Sequence, residues 1–270
     1  MKIPTALTIA GSDSGGGAGI QADLKTFLAL GVHGTSAISA LTAQNTTGVS
    51  AVHDVPPEFV AEQIKQVAID FEVASAKTGM LSNAAVVEAV ADALARYEVP
   101  NIVVDPVFVS KNHDRLLSED GVDAIAEKLF PLATVVTPNL EEASGFSGMD
   151  VHGLHQMREA ARFLHDMGPR YVLVKGGHLA EDAVDVLFDG GGFLELRAPR
   201  HPSRNTHGTG CTLSAAIAAF LARGLPVPEA VEGAKAYVTG AIANGLDVGK
   251  GFGPTNHGWQ SSMAGGATSG

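Results

Sequence analysis

The sequence contains little cysteine and no long hydrophobic run. Cys211 is the single cysteine among 270 residues, which excludes an internal disulfide and a cysteine-based zinc site and favours a reducing compartment. No stretch approaches the roughly 18 consecutive apolar residues that a membrane-spanning helix needs. Because the first residues lead directly into a short apolar run ending in Gly and Asp, we expect no signal peptide and a cytoplasmic location.

Positive charge is scarce as well. The chain carries 18 Lys and Arg against 29 Asp and Glu, which gives a formal charge of -11 and a pI near 5.3. Nucleic-acid binding depends on neutralising phosphates with Lys and Arg, so this balance argues against it. We expect a small-molecule ligand, and an anionic one must be held by local features that overcome the global charge.

Apolar residues make up 45% of the chain, enough to bury one large core. No Pro- or Ser-rich linker and no block of charge interrupts the first 250 residues, whereas the last residues are low in apolar surface. We therefore expect one domain over residues 1–258 and a disordered tail over residues 259–270.

Short apolar runs recur along the chain, each followed by a segment of helical periodicity. Such runs are typical of strands that are buried on both faces of a parallel sheet. They lie at residues 6–10, 102–104, 134–136 and 171–174. Amphipathic helices are predicted around residues 59–67, 86–94 and 154–164, and a further helix around residues 20–30. The alternation predicts an α/β fold, a three-layer αβα sandwich around a central, mostly parallel sheet.

Two segments break this pattern. Residues 33–55 are strand-like without an intervening helix, and residues 182–199 read as a β-hairpin that turns at residues 190–192. Hairpins at the margins of a parallel sheet supply edge strands, lids or substrate walls. We expect a small β lid or edge strands at these two places.

The first predicted strand ends in a glycine-rich turn over residues 11–19, followed by a helix. Backbone N–H groups in such a turn approach a ligand closely, and the helix N-terminus adds partial positive charge. The glycine spacing completes neither the Walker A motif nor the dinucleotide fingerprint, which argues against an NAD-linked oxidoreductase. A ligand-contacting loop and a structural tight turn both fit this stretch.

A second glycine-rich turn, Asn205-Thr206-His207-Gly208-Thr209-Gly210-Cys211, precedes an alanine-rich run without charge over residues 212–221. A helix without charged residues has to be buried, so its N-terminus must open into the interior of the fold. Its unpaired N–H donors form an anion hole there, which stabilises a developing phosphate charge. The alternative is a buried helix with a glycine cap.

Cys211 lies where the dipole of this helix acts on its thiol. A helix N-terminus lowers the pKa of a thiol, so a partly ionised Cys211 could accept a proton from a substrate hydroxyl. An inert cysteine, present as a small buried apolar side chain, fits the position equally well.

Charged and polar residues follow three of the predicted strands. Asp105 closes one strand, Asn139 and Glu142 stand at a helix start after the next, and Lys175 follows the last. Ligands of open α/β sheets bind at the carboxyl ends of strands, and oxygen ligands there suit Mg²⁺ held mostly through water and phosphates. For Asn139, a simple N-cap is the competing interpretation.

Together these motifs resemble the ribokinase-like superfamily and, within it, the hydroxymethylpyrimidine and phosphomethylpyrimidine kinases of thiamine biosynthesis. The resemblance runs from Leu7 to about His257 and depends on several long motifs in the same order. These are residues 10–26, 41–46, 77–81, 139–142, 175–178 and 206–216.

The resemblance implies an ATP-dependent kinase, usually a homodimer, that phosphorylates an aminopyrimidine alcohol and then its monophosphate with the help of Mg²⁺. The implied pyrimidine contacts are Gly11, Asp23, Gln44, Met80 and Val107. The implied phosphate and metal contacts are Lys175, Thr206 and Asn139 for ATP, Asp105 and Glu142 for the metal, and the backbone of Gly208, Thr209, Gly210 and Cys211 for the transferring phosphoryl group. The amide of Gln44 has both donors and an acceptor, which matches an aminopyrimidine edge. Phe108 and Lys250 stand where Met and His are frequent in the family, which affects fine specificity more than chemistry.

Most members of the superfamily resemble one another in carrying Asp as a base where this chain has Cys211. We interpret the difference through the second substrate, the monophosphate, whose oxygen is already ionised and needs no base. A fixed carboxylate ~4 Å from that anion would repel it by about 1 to 4 kcal/mol, whereas a largely neutral thiol would not.

Two alternative functions stay open at this level. Some relatives accept pyridoxal, but they resemble one another in carrying a lid cysteine where this chain has Ser110, so we expect pyridoxal or pyridoxine phosphorylation as a side activity at most. A non-catalytic nucleotide-binding module is the other alternative. It is disfavoured because every position expected to contact ATP and Mg²⁺ carries a competent residue.

Overall fold

A computed structural model describes residues 3–109, 116–177 and 183–261. Its strands are β1 (Thr5–Asp13), β2 (His33–Asn45), β3 (Gly48–Asp54), β4 (Val73–Thr78), β5 (Ile102–Val104), β6 (Val135–Val136), β7 (Tyr171–Val174), β8 (Ala183–Phe188) and β9 (Phe193–Ala198). Its helices are α1 (Gly19–Ala29), α2 (Pro57–Asp70), α3 (Ala84–Arg96), α4 (Glu119–Ala124), α5 (Leu140–Ser147), α6 (Leu154–His165), α7 (Thr209–Ala222) and α8 (Val227–Ala243). A π-helical turn (Ile125–Leu129) and a 3-10 turn (Phe130–Leu132) continue α4.

The strands form one sheet in the order β3-β2-β1-β4-β5-β6-β7-β8-β9. Strands β2, β1 and β4 to β7 run parallel, while β3, β8 and β9 pair antiparallel at the two margins. The predicted mostly parallel sheet and both marginal hairpins are confirmed. Strand β4 was not predicted, because Ser75, Lys77 and Thr78 interrupt its apolar run.

Helices cover both faces of the sheet. On one face, helices α2 to α6 pack against strand residues such as Leu7 and Val104. On the other face, α1, α7 and α8 pack against Ala6, Val103 and Leu173. Neighbouring residues of a strand thus enter different cores, which explains why the strands are apolar without alternation. The result is the predicted three-layer αβα sandwich.

Helix α7 lies in the second core, with residues 212–219 and Leu221 buried. The charge-free run is therefore a buried helix, as the sequence predicts. It begins beyond Gly208, whose φ of 78° is left-handed, and its N-terminus faces the edge at which the parallel strands end.

The predicted boundary of the tail is too early by three residues. Residues 259–261 form a helical turn, and the ring of Trp259 lies 6.4 Å from that of Tyr237 in the core. The prediction of disorder for residues 262–270 lies outside the described residues. Over the described part of the chain, no helix combines the length and apolar character that crossing a bilayer requires.

Candidate active site

A cavity of about 610 Å³ lies at the carboxyl edge of the parallel strands. Strand ends from both halves of the sheet line it, together with the N-terminus of α7. Every site residue assigned from the sequence lines this cavity, with the exception of Asp23. The volume falls within the range of small-molecule sites.

The second glycine-rich turn opens into this cavity. A Cβ on Gly208 would lie 1.9 Å from the carbonyl oxygen of Gly17, so only glycine fits where the two glycine-rich turns touch. Among the described residues, no acceptor faces the backbone N–H groups of Gly208, Gly210 and Cys211. A Cβ on Gly210 would lie 3.5 Å from Nζ of Lys175. Open amides beside an ammonium group form an anion-binding arrangement.

The first glycine-rich turn differs, because its amides are already occupied. The carboxylate of Asp13 is 3% exposed and accepts hydrogen bonds from the N–H groups of Gly15 (2.7 Å), Gly17 (3.0 Å) and Ala18 (2.9 Å). Burial alone would raise the pKa of Asp13. The hydrogen bond and electrostatic attraction from His207, together with the N–H groups of Ala18 and Gly15, outweigh burial and lower that pKa. The turn lines the cavity, yet its amide donors serve the turn itself.

Lys175 lies beside Asp105 and Glu142, the two carboxylates assigned to the metal. Its Nζ lies 2.8 Å from Oδ1 of Asp105 and 3.9 Å from Oε2 of Glu142. Burial would raise the pKa of Asp105, but Lys175 and Lys77 lower it on balance. Burial raises the pKa of Glu142 to about 7, although Lys175 opposes the shift. Two carboxylates beside an ammonium suit Mg²⁺ held largely through water and phosphates.

Asn139 and Glu142 also form the N-terminal cap of α5. Oδ1 of Asn139 accepts from the N–H of Glu142 (2.8 Å), and Oε2 of Glu142 accepts from the N–H of Asn139 (2.7 Å), a complete capping box. The N-cap interpretation of Asn139 is thus confirmed. Because both residues also line the cavity, contacts with ATP and metal stay predictions.

Asp23 requires a correction. It is 0% exposed and lies behind the cavity wall, where its carboxylate accepts from Nζ of Lys77 (2.9 Å) and Oγ1 of Thr8 (2.6 Å). Its oxygens are therefore engaged within the protein, and Asp23 supports the site instead of contacting the pyrimidine. Lys77 does line the cavity and was missed, although the motif at residues 77–81 contains it. Burial lowers the pKa of Lys77, but Asp23, Cys211 and Asp105 outweigh it and raise that pKa.

Of the two interpretations that the sequence left open for Cys211, the acidified thiol is wrong. Burial raises the pKa of its thiol to about 11, and the lowering effect of Lys77 is smaller. At neutral pH the thiol is protonated, which agrees with the hypothesis of a neutral group beside an anionic second substrate.

A third lysine at the cavity was also missed from the sequence. Nζ of Lys235 lies 2.7 Å from Oδ2 of Asp185, and Oδ1 of Asp185 accepts from the N–H of Gly176 (2.9 Å). Lys77, Lys175 and Lys235 thus each have an aspartate partner at this cavity. The cations that an anionic ligand needs are local, despite the net charge of the chain.

The sequence matches the phosphomethylpyrimidine kinase family over residues 13–256. The chain belongs to this family. It is 54% identical over 256 residues to the hydroxymethylpyrimidine/phosphomethylpyrimidine kinase of Streptomyces coelicolor, with 95% of each chain covered.

Two solved structures show the same fold. An ADP complex of Bacillus subtilis pyridoxal kinase is similar with a TM-score of 0.90 and 40% identity, covering 96% of this chain and 99% of that one. Phosphomethylpyrimidine kinase from Clostridium difficile is similar with a TM-score of 0.80 and 42% identity, covering 89% and 100%. The chain is therefore a phosphotransferase with the ribokinase-like fold, as the resemblance implied.

Proposed function

We propose that this kinase transfers a phosphoryl group from ATP to 4-amino-5-hydroxymethyl-2-methylpyrimidine and then to the resulting monophosphate, in thiamine biosynthesis. One observation carries the proposal: the amide-rich N-terminus of α7 opens into the same cavity as Lys175 and Gln44. The high identity to the Streptomyces coelicolor kinase supports the same substrate class. We further propose a cytoplasmic homodimer, as the resemblance implies.

The pyrimidine occupies the end of the cavity formed by Gly11, Gln44, Met80 and Val107. A Cβ on Gly11 would lie 3.0 Å from the sulfur of Met80, so glycine keeps this wall flat enough for an aromatic ring. The amide of Gln44 then recognises the aminopyrimidine edge. In this arrangement the hydroxymethyl group is directed toward Cys211 and the N-terminus of α7.

The phosphates of ATP occupy the other end, with Thr206 and Asn139 at the cavity wall. The N–H groups of Gly210 and Cys211 and the ammonium of Lys175 stabilise the transferring phosphoryl group, whose negative charge is spread over its oxygens. Asp105 and Glu142 would hold Mg²⁺, which neutralises phosphate charge when it is bound. Phosphoryl transfer of this kind depends mainly on positioning and electrostatics.

The proton of the substrate hydroxyl is not removed by a preformed thiolate, because Cys211 is protonated at neutral pH. A loose transition state makes early proton removal unnecessary. Cys211 therefore lines the anion hole, and its neutrality admits the monophosphate in the second reaction.

Pyridoxal phosphorylation is the second candidate, favoured by the TM-score of 0.90 to a pyridoxal kinase. The identity to that enzyme is 40%, against 54% to the pyrimidine kinase. We therefore propose that phosphorylation of pyridoxal is a side activity. Ser110, on which the sequence argument depends, lies outside the described residues.

A product assay tests the proposal. Purified protein is incubated with ATP, Mg²⁺ and either hydroxymethylpyrimidine or pyridoxal, and the mono- and diphosphates are resolved. We expect both phosphates of the pyrimidine, with ATP consumption that depends on the added pyrimidine. Consumption without pyrimidine, or turnover of pyridoxal alone, would contradict the proposal.

A further inference from the structure

The side-chain amide of Gln44 contacts two partners that also line the cavity. Its Nε2 position lies 3.4 Å from Nε2 of His207, and its Oε1 position lies 3.1 Å from Oγ1 of Thr42. The oxygen and nitrogen of such an amide are nearly identical in shape, so the donors and acceptors around it decide which end is which.

His207 excludes a donor from the end of the Gln44 amide that faces it. Nε2 of His207 lies 2.9 Å from Oδ2 of Asp13, whose carboxylate is ionised and also binds three backbone N–H groups. A carboxylate only accepts, so this ring nitrogen carries the hydrogen and donates it. An amide nitrogen facing it would bring two donors together. The Gln44 atom on this side is therefore its oxygen.

Thr42 requires the complementary atom. Oγ1 of Thr42 lies 2.9 Å from the carbonyl oxygen of Ser12, which only accepts, so the hydroxyl hydrogen is directed to Ser12. Oγ1 of Thr42 therefore presents a lone pair to Gln44 and acts as an acceptor. The Gln44 atom on this side has to be a donor, which is the amide nitrogen. Two partners on separate segments, His207 and Thr42, independently demand the same orientation of the amide.

We propose that His207 and Thr42 fix the amide of Gln44 with its oxygen toward His207 and its nitrogen toward Thr42, and that this orientation selects the donor–acceptor order of the bound ring. The amide keeps one N–H and one lone pair for the ligand. The nitrogen end donates to a ring nitrogen, and the oxygen end accepts from an exocyclic amine on the His207 side. This inference builds on the proposed function and adds two positioning residues to it.

The fixed orientation predicts discrimination against a ring with the reversed pattern. In the 4-oxo analogue of hydroxymethylpyrimidine, the exocyclic group accepts and the ring N–H donates. A fixed amide faces that ring with like groups, whereas an amide free to rotate by 180° binds either ring. Sites built to hydrogen-bond a ligand reject mismatched analogues strongly, because buried polar groups are left unpaired.

A matched pair at Thr42 tests the inference. Thr42→Val keeps the shape of the side chain and removes the lone pairs, while Thr42→Ser keeps the hydroxyl. The dissociation constants of the amino and 4-oxo pyrimidines are measured by calorimetry without ATP. We expect the wild type and Thr42→Ser to prefer the amino ring by about 100-fold or more, and Thr42→Val by about tenfold or less.

A pair at His207 repeats the test from the other side. His207→Gln retains a donor at a similar reach and is expected to keep most of the preference, whereas His207→Leu is expected to lose it. Thermal melting of each variant identifies any that fail to fold. Unchanged preference in folded Thr42→Val and His207→Leu overturns the inference, as does a wild type that does not discriminate. If the wild type binds the amino ring without phosphorylating it, the proposed function fails separately, and the affinity ratios still decide the inference.

Discussion

The two glycine-rich turns touch each other, yet they use their backbone amides in opposite ways. In the first turn, Asp13 accepts from Gly15, Gly17 and Ala18, so a carboxylate of the protein occupies the position that an anionic ligand would take. In the second turn, the open amides of Gly208, Gly210 and Cys211 face the cavity beside Lys175. The first turn is a scaffold, and we propose that the second is the anion hole.

The difference shows that glycine content alone does not identify a phosphate site. An acidic residue inside a glycine-rich turn can satisfy the donors that glycine makes available. Asp13 satisfies these donors in the first turn and also accepts a hydrogen bond from His207 of the second turn. The first turn therefore also holds the second turn in place. The contrast predicts different consequences of substitution in the two turns.

The largest effect is expected for Gly208→Ala. The new methyl group would overlap the carbonyl of Gly17, separating the turns and displacing the anion hole. We expect kcat to fall by about 100- to 1,000-fold, as for loss of an oxyanion-hole donor. Gly224→Ala is the matched control, because Gly224 also has a left-handed φ, of 86°, but has open space around it beyond the other end of α7. It should cost about 1 to 2 kcal/mol of stability and retain activity. Equal losses of kcat in both variants would contradict a specific role of Gly208 in the anion hole.

Cys211→Asp places a charge in the anion hole and so imitates the first turn. We expect the second phosphorylation to slow more than the first, by a factor that corresponds to about 1 to 4 kcal/mol of repulsion. Cys211→Asn is the neutral control and should affect both half-reactions alike. The rates of both steps are measured with hydroxymethylpyrimidine and its monophosphate. Equal slowing of the two steps by Asp would refute the neutral-thiol hypothesis.

Asp13→Asn tests the scaffold turn. Loss of the charged acceptor should reduce the free energy of unfolding by about 2 to 3 kcal/mol at pH 7. The pKa of Asp13 is lowered in the folded state, so its stabilisation is present above the unfolded pKa of about 3.9 and is lost as pH falls through the folded value. The difference in unfolding free energy between wild type and variant, measured by urea denaturation, should therefore narrow below about pH 4. A difference in unfolding free energy that does not change with pH would contradict the role of the charged Asp13 carboxylate in the first turn.

Glu142→Gln gives the smallest expected effect. The pKa of Glu142 is raised to about 7, so the folded state holds a proton that the unfolded state releases near pH 4.5. Wild-type stability contributed by this group is thus lost as pH rises toward 7. Gln keeps the capping box and has no proton to lose. Relative to wild type, the variant should gain about 1 to 3 kcal/mol between pH 5 and pH 8, measured by urea denaturation without Mg²⁺. If the variant gains no stability relative to wild type over this pH range, the pKa of Glu142 is not raised in the folded protein.

Much of the fold follows from local pattern. The apolar strands β1, β5, β6 and β7, both hairpins and the buried helix α7 are readable because burial on two faces requires continuous apolar residues. Strand β4 is not readable in this way, since Lys77 looks like a surface residue. Its charge is tolerated in the core because Asp23, 54 positions away in the sequence, pairs with it.

The motifs and strand ends predicted which residues line the cavity, apart from Asp23, Lys77 and Lys235, but not the electrostatics of those residues. The pKa of Cys211 depends on how completely the fold removes water, which no local sequence feature reports. The occupation of the first turn depends on the rotamer of Asp13, and the roles of His207 and Thr42 depend on contacts between distant segments. Asp23 was misplaced for the same reason, because its partner Lys77 lies on a strand that was not predicted.

The most direct test of the anion hole is a backbone amide NMR titration with ADP, Mg²⁺, aluminium fluoride and hydroxymethylpyrimidine, which together imitate the transferring phosphoryl group. We predict large downfield proton shifts at Gly210 and Cys211 and small ones at Gly15 and Gly17, whose hydrogens already bind Asp13. The reverse pattern, with the first turn responding and residues 208–211 unchanged, would contradict the account.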